Sequence, residues 1–219
     1  MSKVIMVPFF EAKRAQLQRH IDFFERLGIP VVVVDLTYQI PWLQLWRFGS
    51  MRSLWVYQIE QVIKNHPEPK IIFSFSNPSS AVLEVLSRIQ CHNVKALICD
   101  SGPGTGFIYS VFKLLKHYRG LTNPILLYPL TLILFLVWGP AWDWQTRRAV
   151  ARLPDGFPIL TIEGGRDPLI SPDQIDDVFC HSSRIRWKRL LLPEAQHLNG
   201  LKDFGDIYLA TLKEFLAQC

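Results

Sequence analysis

Cysteine is scarce in this chain, since only four of its 219 residues are cysteines. Cys91, Cys99, Cys180 and Cys219 form no CxxC pair and no Cys/His spacing of the kind that holds zinc. Nor do they make a disulfide framework, so we interpret them as reduced thiols. We therefore expect no metal site and no other cofactor.

A block of charge of either sign is also absent. The formal net charge is +5, and the lysines and arginines are scattered along the sequence. Without a basic stripe we expect no nucleic-acid partner, although a mildly basic face favours contact with an anionic membrane surface. The apolar stretch 4–10 is too short for the hydrophobic part of a secretory signal. These features predict a cytoplasmic protein, with membrane association left open.

Glycine does not form a nucleotide-binding pattern. The run Gly102-Pro103-Gly104-Thr105-Gly106 does not fit G-x-G-x-x-G, and no Lys-Ser or Lys-Thr pair follows it. We interpret this run as a turn that leaves a sheet.

Apolar runs that alternate with amphipathic segments predict an α/β fold. Strand, helix and buried strand follow one another from residue 4 to residue 36, an order typical of a parallel sheet with right-handed crossovers. We expect about six mostly parallel strands with helices on both faces, in a single domain spanning residues 1–219. The predicted strands are 4–7, 29–36, 71–75, 94–99, 158–163 and 185–192, and the predicted helices outside the insertion are 12–27, 50–65, 78–89, 172–179 and 202–216.

Residues 107–155 interrupt this alternation with an apolar, helical insertion. Its stretch 121–142 carries no charge and, as one helix, would span roughly 33 Å, enough to cross a bilayer. Two prolines and a Gly-Pro pair break that stretch. A single crossing would also put the later strands on the opposite side from the earlier ones. We therefore favour a lid or an interfacial helix over a spanning one, with a membrane hairpin as an alternative.

Ser76 lies where a buried strand gives way to a helix. Asn77 is a good N-cap, and Pro78 suits the first helical position. A serine at such a junction is exposed beside the N–H groups of the helix start, as in a nucleophile elbow. The usual signature is G-x-S-x-G, whereas this chain has Ser74-Phe75-Ser76-Asn77-Pro78. A capped helix after a core strand explains the same residues, so the assignment needs partners elsewhere.

Asp167 and His197 supply those partners, because each follows a later predicted strand. The chain order serine, acid, histidine is that of the α/β hydrolases, and the carboxyl ends of parallel strands meet at one edge of the sheet. We expect His197 to deprotonate Ser76 and Asp167 to orient the imidazole. Asp100, at another strand end, is an alternative acid.

An oxyanion hole is expected beside the serine. Its donors would be the backbone N–H of Asn77 and an N–H after the first strand, from Phe9 or Phe10, because Pro8 has none.

Several stretches of the chain together carry a family resemblance: Phe75-Ser76-Asn77, Asp100 to Gly104, Asp167, His197-Leu198, Leu201 to Phe204, and Tyr208. They resemble the transmembrane protein 53-like family, which includes proteins named for indole-diterpene biosynthesis. The resemblance covers almost the whole chain and implies an α/β-hydrolase-like fold and, loosely, membrane association. The chain departs from the family at Pro78-Ser79, where glycines are usual.

The sequence therefore predicts a serine hydrolase that acts on an ester or thioester with an apolar, lipid-like acyl group beneath the lid 107–155. The alternative is a catalytically inactive protein of the same fold that binds a membrane surface or a protein partner through residues 121–142. The substrate, the acyl acceptor and the oligomeric state are left open.

Overall fold

One sheet of six parallel strands forms the centre of the fold in residues 2–38 and 46–219, the part of the chain that a computed structural model describes. The strand order is β2-β1-β3-β4-β5-β6. The chain thus starts in the sheet, moves to one edge, returns past β1 and continues to the other edge. The strands are β1 (Lys3–Val7), β2 (Val31–Val33), β3 (Lys70–Phe75), β4 (Val94–Asp100), β5 (Phe157–Gly164) and β6 (Ile185–Leu192).

The direction in which the chain moves across the sheet reverses between β1 and β3: from β1 it passes to β2 at one edge, and from β3 it continues towards β6 at the other. The loops that follow these two strands leave the sheet towards opposite sides, and in open α/β sheets a crevice opens at such a switch point. Ser76 ends β3, while Phe9 and Phe10 follow β1, so the fold positions all three at this crevice.

Helices cover both faces of the sheet. Successive residues of a strand point to opposite faces, so Ile5 and Ile72 enter one apolar cluster whereas Val4 and Ile71 enter the other. The helices are α1 (Arg14–Arg26), α2 (Met51–Lys64), α3 (Ser79–Arg88), α4 (Phe107–Lys113), α5 (Pro124–Trp138), α6 (Trp142–Val150), α7 (Pro172–Phe179), α8 (Gly200–Asp203) and α9 (Gly205–Leu216).

The predicted α/β architecture is confirmed, and most elements end within two residues of the predicted bounds. Two elements differ more. The predicted strand 29–36 pairs only at Val31–Val33, since it lies at the edge and its one neighbour, β1, ends at Val7. The predicted helix 202–216 is divided into α8 and α9 at Phe204, whose φ of −133° is not helical.

The insertion between β4 and β5 is helical. A π-helical turn, Leu114–Tyr118, extends α4, and α5 and α6 follow. Within the described residues, Pro124–Val150 is a helical run of 27 residues, long and apolar enough to cross a membrane; its most apolar window of 18 residues has a mean hydropathy of 1.8 and is 28% buried. Gly139, with φ 129°, ends α5 after 15 residues. At 1.5 Å per residue, α5 alone is roughly 22 Å long, shorter than a hydrocarbon core of about 30 Å.

The insertion packs on the rest of the domain through its inner side. The indole of Trp142 lies edge-on to that of Trp55 in α2, with ring centroids 6.3 Å apart. The hydroxyls of Thr146 in α6 and Ser80 in α3 are 2.5 Å apart, and Arg52 of α2 donates to the Gln145 side chain at 2.8 Å. The inner side of the insertion therefore belongs to the core.

Candidate active site

Ser76 occupies a sharp turn between β3 and α3. Its φ of 54° lies in the left-handed region, which costs a non-glycine residue about 1–2 kcal/mol. Two backbone hydrogen bonds fix the turn: Ser76 N–H donates to the Asp100 carbonyl at 2.8 Å, and Ser79 N–H donates to the Ser76 carbonyl at 3.1 Å. The residue is 8% exposed. This is the backbone geometry of a nucleophile elbow.

The helix after Ser76 begins one residue later than the sequence predicts. Pro78 is the N-cap and Ser79 is the first residue of α3, so the prediction that Asn77 is the N-cap is wrong. The left-handed turn at Ser76 delays the helix, because the first bonds of α3 run from Ser79 to Ser76 and from Ser80 to Asn77, in the tighter i to i+3 pattern.

Gly102, beyond the end of β4, lets the neighbouring chain approach the elbow. A Cβ at this position would lie 2.6 Å from the Ser76 carbonyl oxygen and 2.9 Å from its Cα. No side chain fits in that space, so the turn predicted at 102–106 also has the function of accommodating Ser76.

His197 and Asp167 lie beside the serine in one hydrogen-bonded chain. Ser76 Oγ is 3.1 Å from His197 Nε2, and His197 Nδ1 is 2.6 Å from Asp167 Oδ2. The His197 side chain is 7% exposed and that of Asp167 is fully buried. Asp167 Oδ1 accepts from the backbone N–H groups of Leu169, at 2.8 Å, and Ile170, at 3.0 Å. The aspartate is thereby fixed with one oxygen left for the histidine.

Two glycines bring the loops after β5 and β6 together. Cβ atoms at Gly164 and Gly165 would lie 2.6 Å from the Ala195 carbonyl oxygen and 2.4 Å from that of Pro193. The Gly165 N–H donates to the Leu192 carbonyl at 2.8 Å. Such close contact between backbones places Asp167 next to His197 although 30 residues separate them.

Asp100, the alternative acid, has other partners. Its Oδ2 accepts from the Tyr208 hydroxyl at 2.6 Å and its Oδ1 accepts from the Ser101 hydroxyl at 2.8 Å. Tyr208 Oη is also 3.1 Å from His20 Nε2. Burial, together with the Asp100 carboxylate, raises the pKa of Tyr208 well above its ordinary value, so this phenol keeps its proton. The structure therefore brings Asp167, and not Asp100, to the His197 ring.

The Asp100 cluster nevertheless reaches the histidine loop. The Leu198 backbone N–H donates to the Ser101 hydroxyl oxygen at 3.0 Å, and Leu198 has a φ of 60°. Ser101 thus links Asp100 to the residue that follows His197. Ser101 lies in a stretch that carries the family resemblance, but sequence reasoning assigned it no role.

The predicted oxyanion donors border the same cavity as Ser76. Asn77, Phe9 and Phe10 line it, and in the described part of the chain their backbone N–H groups donate to no backbone carbonyl. In the described ranges, therefore, no backbone acceptor occupies these N–H groups. The Phe9 carbonyl accepts from the Tyr38 hydroxyl at 2.8 Å, which holds the loop after β1 in place.

The cavity in front of Ser76 has a volume of about 640 Å³. On the side of α2 and the insertion its wall is mostly apolar and includes Trp55, Phe107 and Trp138, three aromatic residues that sequence reasoning did not assign to a site. On the side of α1 and α8 the wall includes Arg19 and Lys202, which it also missed. No motif marks these residues, because only the fold brings them together.

No group of three or more His, Cys, Asp or Glu side chains in residues 2–38 and 46–219 has the arrangement of a metal site. The expectation of no metal or other cofactor stays a prediction.

Comparison with known proteins identifies the fold. No protein-family model matches the chain, and no curated protein matches its sequence. Among solved structures, a hydrolase from Oleispira antarctica superposes with a TM-score of 0.68 at 12% identity, covering 99% of this chain and 91% of that one. An esterase from Pyrococcus furiosus superposes with a TM-score of 0.68 at 14% identity, covering 99% of this chain and 83% of that one.

A third similar structure is an α/β hydrolase from a sediment metagenome of the Mar Chica lagoon in Morocco, with a TM-score of 0.69 at 15% identity, covering 100% of this chain and 92% of that one. The sheet order, the turn at Ser76 and these superpositions along the whole chain agree: the protein has the α/β-hydrolase fold.

Proposed function

We propose that this protein is a serine hydrolase that cleaves an ester or thioester with an apolar acyl group. The observation that carries the proposal is the hydrogen-bonded chain from Ser76 Oγ through His197 to Asp167, at 3.1 and 2.6 Å. Both distances lie in the range expected for a nucleophile with its base and for a base with its orienting acid.

The direction of each hydrogen bond defines the roles. Asp167 Oδ2 is a carboxylate oxygen and accepts, so His197 carries its proton on Nδ1 and leaves the Nε2 lone pair facing Ser76. His197 takes the serine proton as Oγ attacks the acyl carbonyl, and Asp167 stabilises the resulting imidazolium. The imidazolium then protonates the leaving alcohol or thiol. Water, activated by the same histidine, releases the acid and restores Ser76.

The developing oxyanion would accept hydrogen bonds from the N–H of Asn77 and from that of Phe9 or Phe10. Donors that are fixed before the reaction stabilise this charge without reorganisation, and the loss of one such donor typically costs about 10²–10³-fold in kcat. The bond between Tyr38 and the Phe9 carbonyl supports this arrangement.

An apolar acyl group is proposed because of the aromatic wall. Trp55, Phe107 and Trp138 offer such a chain a large apolar surface beside Ser76. We propose that the insertion, residues 107–155 of the single domain 1–219, acts as the lid over this substrate. We also propose that the chain is a member of the transmembrane protein 53-like family and that it is located in the cytoplasm.

Labelling with a fluorophosphonate probe tests the proposal. We expect the wild type and Ser183→Ala, which removes an exposed serine far from the elbow, to be labelled, and Ser76→Ala not to be. With an ester substrate, loss of the nucleophile lowers kcat on the order of a millionfold. An unlabelled wild type, or labelling that persists in Ser76→Ala, rejects the hydrolase.

A second candidate function, binding of a membrane surface or protein partner, is favoured by the outer side of α5. Ile125, Tyr128, Leu132 and Leu136 recur at helical spacing and are between 51% and 79% exposed. Large exposed apolar patches mark interaction sites. Lys113, which lies over the Tyr109 ring at 4.4 Å in the preceding helix, adds positive charge suited to anionic lipid.

Flotation with vesicles tests this second candidate. Wild type should float with anionic vesicles more than with neutral ones, and Ile125→Glu with Leu132→Glu should stay in the soluble fraction. If the double variant floats like the wild type, the α5 face does not bind lipid. Fluorophosphonate labelling of the same variant shows separately whether the enzyme is intact.

A further inference from the structure

The cavity in front of Ser76 has a positively charged side that the hydrolysis chemistry does not use. Among the residues that the structure describes, its lining contains three cationic side chains, Arg19, Arg119 and Lys202, and one carboxylate, that of Glu11. Arg119 pairs with Glu11, which joins the insertion to the loop after β1. The opposite charges of Arg119 and Glu11 neutralise each other, so Arg19 and Lys202 are the cations that remain on the wall.

Arg19 and Lys202 come from different helices and approach the cavity from one side. Arg19 lies on α1 together with Gln16 and His20, which line the same wall, and Lys202 lies on α8 just beyond the loop of His197. Neither cation forms an ion pair with any carboxylate in the described ranges. Both side chains are exposed, so solvent screens part of their charge and the remainder acts on the contents of the cavity.

The charged wall and the aromatic wall come from opposite faces of the sheet, since Trp55, Phe107 and Trp138 belong to one apolar cluster, whereas α1 and α8 pack into the other. The aromatic wall belongs to α2 and the insertion, whereas the charged wall belongs to α1 and α8. An ester attached at Ser76 with its acyl chain among the aromatic rings directs its alcohol or thiol part to the charged wall. Two separate cations match a phosphate monoester, which carries a charge of about −1.5 to −2 at pH 7. Arg binds phosphate oxygens as a fork and Lys as a point charge.

We propose that the substrate is an acyl ester or thioester whose leaving group carries a phosphate, held by Arg19 and Lys202. This inference rests on the proposed hydrolase function and adds the class of leaving group. Gln16 and Asn199, which line the wall beside the two cations, supply hydrogen bonds to the polar part that connects phosphate and ester.

Two substrates that differ only in the phosphate test the proposal. Release of decanoic acid is measured from 1-decanoylglycerol and from 1-decanoylglycerol 3-phosphate, and the ratio of their kcat/KM values is the readout. We expect wild type to prefer the phosphate ester. Arg19→Gln with Lys202→Gln should lower the ratio about tenfold, since two charge-assisted contacts at a partly exposed wall are lost.

The matched control removes the same charge elsewhere. Arg152→Gln with Lys213→Gln takes two exposed cations from outside the cavity and should leave both kcat/KM values unchanged. Arg19→Lys with Lys202→Arg should keep most of the preference. A wild-type ratio of one or less, or a ratio unaffected in Arg19→Gln with Lys202→Gln, overturns the phosphate site and leaves the hydrolase standing.

Direct binding separates the two proposals. Decyl phosphate and decanol are titrated into the protein by calorimetry, a readout that needs no turnover. If decyl phosphate binds better than decanol and the difference is lost in Arg19→Gln with Lys202→Gln, the phosphate site is supported. That result holds even if the fluorophosphonate probe never labels Ser76; the hydrolase proposal would then fail and the phosphate site would stand. Equal binding of the two ligands refutes the site. Inorganic phosphate, added as a competitor, shows whether the wall recognises the anion without the chain.

Discussion

Replacement of Asp167 by asparagine gives a sharp test, because the structure dictates how the new amide must sit. Asp167 Oδ1 accepts from two buried backbone N–H groups, those of Leu169 and Ile170. In the variant, the amide oxygen has to remain on these two donors, since an NH₂ group there would leave both unsatisfied. The NH₂ group must then face His197 Nδ1.

That orientation of the amide stabilises the His197 tautomer that cannot accept the serine proton. An NH₂ donor at 2.6–3 Å needs a lone pair on Nδ1, so the neutral ring carries its proton on Nε2 and has no lone pair for the Ser76 proton. A tautomer trap of this kind typically lowers kcat by about 10⁴-fold, which equals about 5 kcal/mol at 1.36 kcal/mol for each tenfold change. The fold should be kept, because every backbone bond to the side chain survives.

The assay is the rate of fluorophosphonate labelling and the kcat for a decanoyl ester, with thermal unfolding as the check on folding. Asp100→Asn is the matched control, because it makes the same chemical change at the rival acid, whose partners are Tyr208 and Ser101. We expect its loss of activity to be far smaller. Activity of Asp167→Asn within tenfold of wild type, or a 10⁴-fold loss in Asp100→Asn instead, would refute the assignment.

Two further predictions concern the surroundings of Ser76 and Asp100. Gly102→Ala places a Cβ 2.6 Å from the Ser76 carbonyl oxygen, so the elbow must shift, and labelling should slow about 100-fold; Gly205→Ala, where a Cβ meets nothing within 4 Å, should label like the wild type. Tyr208→Phe removes a buried donor to a carboxylate and should lower the free energy of unfolding by about 2 kcal/mol and Tm by roughly 4–8 °C, with much less effect on labelling than Asp167→Asn. Unchanged labelling in Gly102→Ala, or an unchanged Tm in Tyr208→Phe, contradicts these arguments.

The sequence predicted the fold because its signals are local and repeated. Apolar runs marked every strand, and β6 and α7 have the bounds that the pattern gave, Ile185–Leu192 and Pro172–Phe179. The length of β2 could not be predicted, since it depends on how far the neighbouring strand extends. The break between α8 and α9 was also missed, because the apolar spacing continues through it.

The candidate site was predictable only where chain order carries information. Ser76, Asp167 and His197 each follow a strand, and parallel strands end at one edge, so order alone brings them close. The choice between Asp167 and Asp100 depended on which loop reaches the histidine, and that is set by the close approach at Gly164 and Gly165. Arg19 and Lys202 lie on helices with no motif, and no local pattern relates them.

Pro78 illustrates how a departure from a motif is compensated elsewhere in the fold. The usual elbow has a glycine two residues after the serine, where space is short, and proline at that position argues against a tight turn. Here the serine adopts its left-handed φ of 54°, and Pro78 keeps a φ of −52°, close to the value its ring prefers, in a position whose N–H no helix bond requires. The missing space is supplied by the loop after β4, where Gly102 lets the backbone pass the Ser76 carbonyl. Pro78→Gly should therefore change the labelling rate little, whereas Gly102→Ala should slow it strongly, since the close contact that limits the turn involves the loop after β4 and not the residue at position 78.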